Sequence, residues 1–391
     1  MLPRNTARAS SADTDSINGI QKSKRPPNTA FRQQRLKAWQ PILSPQSILP
    51  LLVVLSAVFA PIGIGLILSS NNVQDIVVNY SECDRIASDE FSAIPSKWLS
   101  YHFKGRTEDT PKWRHTTDDL GNSICQISFT VPETISGPVY VYYKLTNFYQ
   151  NHRKYVQSYD LRQLTGEAVR REDLSASCKP LSERDDKVIY PCGLIANSMF
   201  NDTFSQRLQG QGETPDYELS NKEISWKRDR GRYKKTTYNV SDIVPPPSWT
   251  SRYPDGYTDS NLPDLSTWEE FQVWMRTAGL PTFYKLALKN DQDHLQSGTY
   301  NFDIGMNYPV NIFGGTKSLV ITTNNIVGTR NLSLGIAYLL VAGISLFFGF
   351  IFLAKLIIQP RKLGDHAYLN FDKHQEPSTE PPINNQLREM L

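Results

Sequence analysis

The chain has 391 residues and a formal net charge of +3 at pH 7, a length that suggests two or three domains. Its mean hydropathy of −0.43 gives most of the chain a water-soluble character and excludes a protein buried in lipid over most of its length. Two windows, residues 48–68 and 334–354, differ from the rest because they contain no charged residue.

Both windows are long enough to cross a membrane. Each has about 21 residues, and at about 1.5 Å per residue this length covers a hydrocarbon core of about 30 Å. We therefore predict transmembrane helices at residues 48–68 and 331–356. The first window begins far into the chain and exceeds the usual apolar length of a signal peptide, so we expect a retained signal-anchor.

The orientation of the spans follows from the basic residues that flank them, because cytoplasmic flanks are enriched in lysine and arginine. Those before the first span and after the second are Lys22, Lys24, Arg25, Arg32, Arg35, Lys37, Lys355, Arg361 and Lys362. Residues 69–81 and 322–329 contain none, and Arg330 is the exception. We expect cytoplasmic tails at residues 1–47 and 357–391, with 1–27 disordered, and a lumenal or extracellular ectodomain at 69–330.

Cysteines and glycosylation sequons give an independent test of this orientation. The four cysteines are Cys83, Cys125, Cys178 and Cys192. The four N-x-S/T sequons begin at Asn79, Asn201, Asn239 and Asn331. Both sets fall within the predicted ectodomain, on the side where disulfides form and glycans are added. We expect two disulfides, with three pairings open from spacing alone, and Asn331 is the weakest acceptor because it adjoins the membrane.

The segment before the first span mixes apolar and basic residues. Phe31 and Trp39 are interleaved with Arg32, Arg35 and Lys37. One interpretation is an interfacial segment on the anionic cytoplasmic leaflet, with Phe31 and Trp39 as candidate partner contacts. The other is a basic flank that only sets the orientation.

The ectodomain alternates in the manner of β-strands. We predict strands at 127–131, 139–145, 303–313 and 318–323, the last two joined by a turn at Gly314 and Gly315. One helix is predicted over 267–278, with Ser266 as N-cap and Glu269 completing a capping box. The expected fold is a membrane protein with two transmembrane helices and a mainly antiparallel β ectodomain, with long loops and a few short helices.

The sequence offers no catalytic constellation. None of the six histidines is paired at a metal-ligand spacing, and no nucleophile-elbow motif is present. Residues 314–318 resemble a phosphate-binding loop only superficially, and a turn after a strand explains them better. We therefore expect no catalytic residue, no metal and no cofactor.

The second predicted span carries a stripe of mostly small side chains. Its members are Gly335, Tyr338, Ala342, Ser345 and Gly349, spaced by three and four residues so that they share one helix face. Small side chains allow close helix approach within a membrane. We expect these residues to contact a partner helix, with contact to the chain's own first span as the alternative.

Several segments of the chain match motifs of one family. They are Asn28–Phe31 with Gln33–Leu36, Pro61–Gly65, Tyr142–Tyr155, Tyr190–Asp202, Trp274–Arg276 and Tyr308–Val310. In these segments the chain resembles the ligand-effect-modulator family of β-subunits of type-IV P-type ATPase phospholipid flippases, in its fungal form. The resemblance covers about residues 26–370.

The resemblance implies a non-catalytic subunit that forms a heterodimer with the catalytic subunit of such an ATPase, in contact with membrane lipids. It implies a role in export of the pump from the endoplasmic reticulum towards Golgi, endosome or plasma membrane, and in lipid transport. It also implies the pairings Cys83–Cys125 and Cys178–Cys192. Nucleic acid is not an expected partner.

Two other classes of function remain. The topology alone would fit a stand-alone surface receptor or adhesion protein, whose ectodomain would bind a ligand without the spans. An ectodomain hydrolase is the weakest alternative, because no nucleophile–base pair is visible.

The polar stretch 147–153 follows the predicted strand 139–145. Its amide and basic side chains suit either an internal network that holds irregular backbone or a docking surface, and we favour the network. The aromatic residues around it, including Tyr143, Phe148 and Tyr149, are expected in the core and in strand pairs.

Overall fold

The structure, a computed structural model, describes residues 28–36, 44–105, 109–119, 121–323 and 330–359. Three predictions concern residues outside these ranges. They are the disorder of residues 1–27, the partner contact of Trp39 and most of the cytoplasmic C-terminal tail. The described residues divide into two compact units, those within 53–348 and those within 1–52 and 349–391.

Two helices are long and apolar enough to cross a membrane, and both coincide with the predicted spans. The helices of the described residues are α1 (Pro45–Asn71), α2 (Cys83–Ile86), α3 (Arg153–Val156), α4 (Leu161–Leu164), α5 (Leu194–Asn197), α6 (Lys227–Arg230), α7 (Glu269–Met275) and α8 (Leu332–Ile358). α1 begins where the Ser44 hydroxyl accepts a hydrogen bond from the Ser47 amide and Pro45 fills the first helical position.

The strands of the described residues are β1 (Asp75–Asn79), β2 (Ser92–Ala93), β3 (Leu99–His102), β4 (Lys112–Thr117), β5 (Ser123–Val131), β6 (Val139–Leu145), β7 (Glu183–Arg184), β8 (Lys187–Ile189), β9 (Thr203–Phe204), β10 (Arg207–Gly210), β11 (Tyr217–Glu218), β12 (Ile243–Val244), β13 (Phe283–Asn290), β14 (Gly298–Gly305) and β15 (Lys317–Thr323).

Two antiparallel sheets form the body of the ectodomain. The five-stranded sheet has the order β13-β6-β15-β1-β3, and the seven-stranded sheet has the order β11-β10-β14-β5-β4-β2, with β9 added beside β14. A small third sheet, β12-β8-β7, contains one parallel pair. The expected fold of two spans and a mainly antiparallel β ectodomain is confirmed.

β6 buries one of its faces in a hydrophobic core that residues of both larger sheets line. Val139, Val141, Tyr143 and Leu145 are buried, and the residues between them are half-exposed. This period of two is that of a strand with one covered face. The predicted strand 139–145 is therefore confirmed, and the predicted strand 127–131 is the second half of the longer β5.

The predicted hairpin around Gly314 and Gly315 is wrong. β14 ends at Gly305 and pairs with β5, whereas β15 lies between β1 and β6 in the other sheet. Asp202 causes the separation, because its Oδ1 accepts hydrogen bonds from the amides of Asn307 and Tyr308, each at 2.6 Å. These amides are thereby withdrawn from any strand ladder.

The predicted capping box of the 267–278 helix is also wrong. The Asp264 carboxylate accepts the hydrogen bonds from the Ser266 amide and hydroxyl, and α7 begins only at Glu269. The Glu269 carboxylate instead accepts hydrogen bonds from the Glu223 and Ser225 amides, each at 2.9 Å. A nearer residue, Asp264, has therefore taken the Ser266 side chain, and a distant loop has taken that of Glu269.

Candidate docking site

The small-residue stripe on α8 faces the chain's own first span. A Cβ atom on Gly335 would lie 2.6 Å from Cγ1 of Ile67 and 3.1 Å from the carbonyl oxygen of Gly63. The rings of Tyr338 and Phe59 are 5.1 Å apart. Glycine thus allows the two helix backbones to approach closely.

The remaining members of the stripe are also covered. Ala342 and Ser345 are 4% and 5% exposed. A Cβ atom on Gly349 would reach Leu49 and Leu52 only at 4.0 Å, an ordinary van der Waals distance. The alternative of contact with the first span is therefore what the chain shows, and contact of the stripe with a partner helix stays a prediction.

The other faces of the spans are uncovered in the single chain. The exposed large side chains include Val53, Val54, Ile64, Leu340, Ile344, Phe347 and Phe350. A Cβ atom added to Gly343, one helical turn from Phe347, would meet open space. An apolar surface of this kind suits lipid tails or another transmembrane helix. Phe31, before α1, is 76% exposed, and its contact with a partner stays a prediction.

The polar stretch after β6 forms the predicted internal network. The side-chain amide of Asn147 donates to the Phe313 carbonyl at 2.7 Å, and that of Asn151 donates to the Gly279 carbonyl at 3.0 Å. Gln150 is fully buried, and its Oε1 accepts a hydrogen bond from the Ala278 amide at 2.8 Å. These three amides fix two loops at one end of the five-stranded sheet.

The loops held by this network display apolar side chains. Ile312 and Phe313 are 77% and 68% exposed, and Leu280 and Tyr149 are similarly exposed. The expectation that Tyr149 lies in the core is wrong, whereas Tyr143 stacks on Phe200 with ring centroids 4.1 Å apart. This exposed edge was missed from sequence, because residues 312–313 were predicted as strand.

A closed charge network lies where β1 ends and β15 begins. The Lys317 ammonium is 2.8 Å from Oδ2 of Asp202, and the Tyr80 hydroxyl donates to the same oxygen at 2.9 Å. Lys317 also donates to the Tyr308 carbonyl. Burial and the Asp202 carboxylate raise the pKa of Tyr80 well above its usual value, which keeps the phenol protonated as a donor.

This network was not predicted, because sequence places Lys317 in a turn and Asp202 only in a sequon. The available signal was a charged residue at the start of a strongly apolar strand, because an apolar strand seldom buries a charge without a partner. The partner itself could not be found from sequence, since 115 residues separate the two side chains.

Both disulfides join the cysteines that the resemblance implied. Cys83 is bonded to Cys125 and Cys178 to Cys192, and all four are buried. The first bridge joins the segment after β1 to β5, and so links the two larger sheets.

The four sequon asparagines differ in their surroundings. Asn239 is exposed. Oδ1 of Asn79 accepts hydrogen bonds from the Ser81 amide and hydroxyl, and Oδ1 of Asn331 accepts from the Ser333 amide. Oδ1 of Asn201 is buried, and no group in the described part of the chain donates a hydrogen bond to it. Asn239 is therefore the acceptor with the freest side chain.

A second buried lysine, Lys285, closes the end of α7. Its ammonium donates to the carbonyl of Val273 at 3.1 Å and to that of Arg276. Burial, with the nearby Arg276, lowers the pKa of Lys285 to about 7. In the described residues, no three His, Cys, Asp or Glu side chains form a group that could hold a metal ion.

Comparison with known proteins places these features in one family. The model of the LEM3 (ligand-effect modulator 3) family, also called the CDC50 family, matches residues 66–362. The chain is 56% identical to the phospholipid-transporting ATPase accessory subunit CRF1 of Saccharomyces cerevisiae, over 95% of each chain. It is 39% identical to the accessory subunit CDC50 of Chaetomium thermophilum, over 90% of this chain and 92% of that protein. It is 36% identical to the cell cycle control protein 50A of Mus musculus, over 86% and 90%.

Proposed function

The chain belongs to the CDC50/LEM3 family, and on that basis we propose that it is the non-catalytic accessory subunit of a phospholipid-transporting ATPase. The observation that carries the proposal is the 56% identity to such a subunit over 95% of both chains. Because the match covers both spans and the ectodomain, the whole architecture is shared. The partner is the catalytic subunit of a type-IV P-type ATPase, in a heterodimer.

The accessory subunit acts by binding, without catalytic residues of its own. Its contribution is to stabilise the catalytic subunit, to allow its export from the endoplasmic reticulum and to support lipid transport. Nothing in the fold or in the comparisons favours the stand-alone receptor that the topology alone would also allow.

Both termini lie in the cytoplasm, and the ectodomain lies in the lumen of the secretory pathway or outside the cell. The basic flanks of the spans and the two buried disulfides support this placement. Asn239 is the principal glycosylation site, because its side chain is exposed and distant in sequence from both spans.

The two spans dock as one preassembled unit. Since the stripe of α8 is filled by α1 around Gly63, the catalytic subunit contacts the uncovered faces, such as the one bearing Gly343 and Phe347. The stripe residues then affect the partner indirectly, by setting the position of the span pair.

The direct test is co-purification in mild detergent with each type-IV P-type ATPase of the same cell. We expect one ATPase to purify with the chain and to be retained in the endoplasmic reticulum when the chain is deleted. Purification of the chain alone, with every such ATPase normally located and active after its deletion, would refute the proposal.

Two matched glycine variants test the docking of the span pair. Gly335→Leu places a large side chain where even a Cβ is too close, so we expect about a tenfold or greater loss of ATPase co-purification. Gly343→Leu keeps the span pair intact and alters only the uncovered face, and its effect reports direct contact with the partner. Normal co-purification of Gly335→Leu would remove the stripe from the proposal.

A further inference from the structure

The two spans join the ectodomain at a single cluster of charged side chains. α1 ends at Asn71 and β1 begins at Asp75. His102 lies opposite Asp75 in the β1–β3 ladder, and its Nε2 is 3.0 Å from the Asn71 carbonyl oxygen. These contacts place Asp75 and His102 beside the end of the first span.

Arg330 completes the cluster from the second span. One residue, Asn331, separates Arg330 from the start of α8. The Asn331 amide donates a hydrogen bond to the Ser70 hydroxyl at 2.9 Å. This hydrogen bond fixes the start of α8 against the end of α1. We call Asp75, His102 and Arg330 the junction cluster. With the spans placed across the membrane as proposed above, the junction cluster falls at the level of the phospholipid headgroups.

Two polar atoms of the junction cluster are buried and unpaired. Among the described residues, neither Oδ1 of Asp75 nor Nε of Arg330 has a hydrogen-bond partner. Burial raises the pKa of Asp75, and the nearby charges of Arg330 and His102 oppose that rise without cancelling it. Native proteins rarely leave such atoms unpaired unless water or a ligand completes them.

The two unpaired atoms have complementary chemistry. A carboxylate oxygen accepts hydrogen bonds from an ammonium group, and a guanidinium N–H donates to a phosphate oxygen. A ligand that carries both a primary ammonium and a phosphate can pair with the two atoms at once. Phosphatidylethanolamine and phosphatidylserine have such headgroups, and they are presented at the depth of the junction cluster.

We propose that the junction cluster is a binding site for the headgroup of an aminophospholipid in the leaflet on the ectodomain side. Asp75 binds the ammonium, and Arg330 binds the phosphate, while His102 holds the Asn71 carbonyl beside them. The inference rests on the proposed membrane placement of the spans and is independent of the identity of the ATPase partner. A phospholipid held at this point would fix the ectodomain relative to the membrane surface.

The test uses the full-length chain, purified in detergent and titrated with single lipids of identical acyl chains. Native mass spectrometry counts the retained phosphatidylethanolamine, phosphatidylglycerol or diacylglycerol. We expect phosphatidylethanolamine to be retained about tenfold more strongly than either of the other two, as for one charge-assisted hydrogen-bonded group. Equal retention of phosphatidylethanolamine and diacylglycerol would overturn the proposal.

Substitutions then separate the two halves of the site. Asp75→Asn is expected to reduce phosphatidylethanolamine retention about tenfold and to leave phosphatidylglycerol unchanged. Arg330→Gln is expected to reduce both. The controls are Asp216→Asn and Arg207→Gln, which alter an exposed ion pair of 3.1 Å between β10 and the segment before β11. Wild-type retention by both junction variants would refute the site.

A competition experiment on the wild-type chain identifies the source of the headgroup and needs no variant to fold. Glycerophosphoethanolamine, which lacks acyl chains, should displace phosphatidylethanolamine, and inorganic phosphate at the same concentration should not. Displacement by phosphate alone would show an anion site and contradict the role of Asp75. A chain that purifies with its ATPase and shows no lipid preference would refute this inference and leave the proposed function intact.

Discussion

The strand pair β1–β15 has a charge cluster at each end, and the two clusters differ in how completely they are paired. At the end away from the spans, Lys317, Asp202 and Tyr80 join in a buried network. The Asp202 carboxylate accepts hydrogen bonds from the side chains of Lys317 and Tyr80. It also accepts hydrogen bonds from the backbone amides of Asn307 and Tyr308. At the end beside the spans, Asp75 and Arg330 each have a buried atom that no other described residue pairs with.

The difference indicates which end serves the fold and which end serves binding. A buried charge is tolerated when ion pairing and hydrogen bonds replace the water that it has lost. The Asp202 network meets this condition and joins three distant segments of the chain. Among the described residues the junction cluster does not meet this condition, and the proposed phospholipid headgroup would complete it.

The largest effect is expected for Asp202→Asn. The substitution preserves volume and the Asn201 sequon, but it leaves the Lys317 ammonium, with a side chain 4% exposed, without a counter-ion. Removing one partner of a buried pair costs about 3–5 kcal/mol. We expect a loss of this size in the free energy of unfolding of the ectodomain, measured by tryptophan fluorescence in urea with the full-length chain.

Two variants control this measurement. Asp216→Asn breaks an exposed ion pair and should change the stability by about 0.5 kcal/mol or less. Asp202→Asn combined with Lys317→Met removes both charges and should recover part of the loss. If Asp202→Asn lowers the free energy of unfolding no more than Asp216→Asn does, the structural role of the Asp202 network is contradicted.

An effect of similar size is expected from the Cys83–Cys125 disulfide, which lies close to the Asp202 network in sequence. Cys83–Cys125 closes 42 residues and Cys178–Cys192 closes 14. In the loop-entropy model, their removal costs about 4 and about 3 kcal/mol. The double Cys→Ser variant without the Cys83–Cys125 bridge should therefore unfold at a lower urea concentration than the one without the Cys178–Cys192 bridge. Cys83→Ser should also accumulate in the endoplasmic reticulum. If the variant without Cys178–Cys192 unfolds at the lower urea concentration, the Cys83–Cys125 bridge between the sheets is not the stronger constraint.

Lys285 sharpens the comparison because it is a buried lysine hydrogen-bonded to carbonyl oxygens, whereas Lys317 pairs with a carboxylate. Its pKa is lowered from 10.5 to about 7, so between these values the unfolded chain holds a proton that the folded chain has released. Stability should therefore rise with pH from about 7 upward, by at most about 1.4 kcal/mol per unit.

Urea unfolding at pH 7, 8 and 9 measures this slope. Lys285→Met should flatten it, and the exposed Lys222→Met should leave it unchanged. An equal slope in the wild-type chain and in Lys285→Met would assign the pH dependence to other groups.

The sequence predicted those features that depend on composition over a short window. The spans follow from uncharged runs, and β6 follows from the alternation of Val139, Val141, Tyr143 and Leu145. The internal network of Asn147, Gln150 and Asn151 was also predicted, because these residues stand together after a strand.

Two of the failures share one physical cause, which is a long-range partner that replaces a local one. Asp202 removes the amides of Asn307 and Tyr308 from the predicted hairpin, and the Glu223 loop occupies the carboxylate of Glu269. The junction cluster was missed for a related reason. Arg330 was noted only as an exception to the charge rule, and its proximity to Asp75 requires the fold.

The smallest effect on stability is expected for Asp75→Asn, the same substitution as at position 202. Because burial raises the pKa of Asp75, ionising its carboxyl group is less favourable in the folded chain than in the unfolded chain. Replacing it removes that cost, although partial exposure screens the charge, so the free energy of unfolding should change by about 0.5 kcal/mol or less. The measurement is the urea titration used for Asp202→Asn, in detergent without added phospholipid. A loss as large as that of Asp202→Asn would mean that Asp75 is paired within the chain, and the contrast between the two ends of the strand pair would disappear.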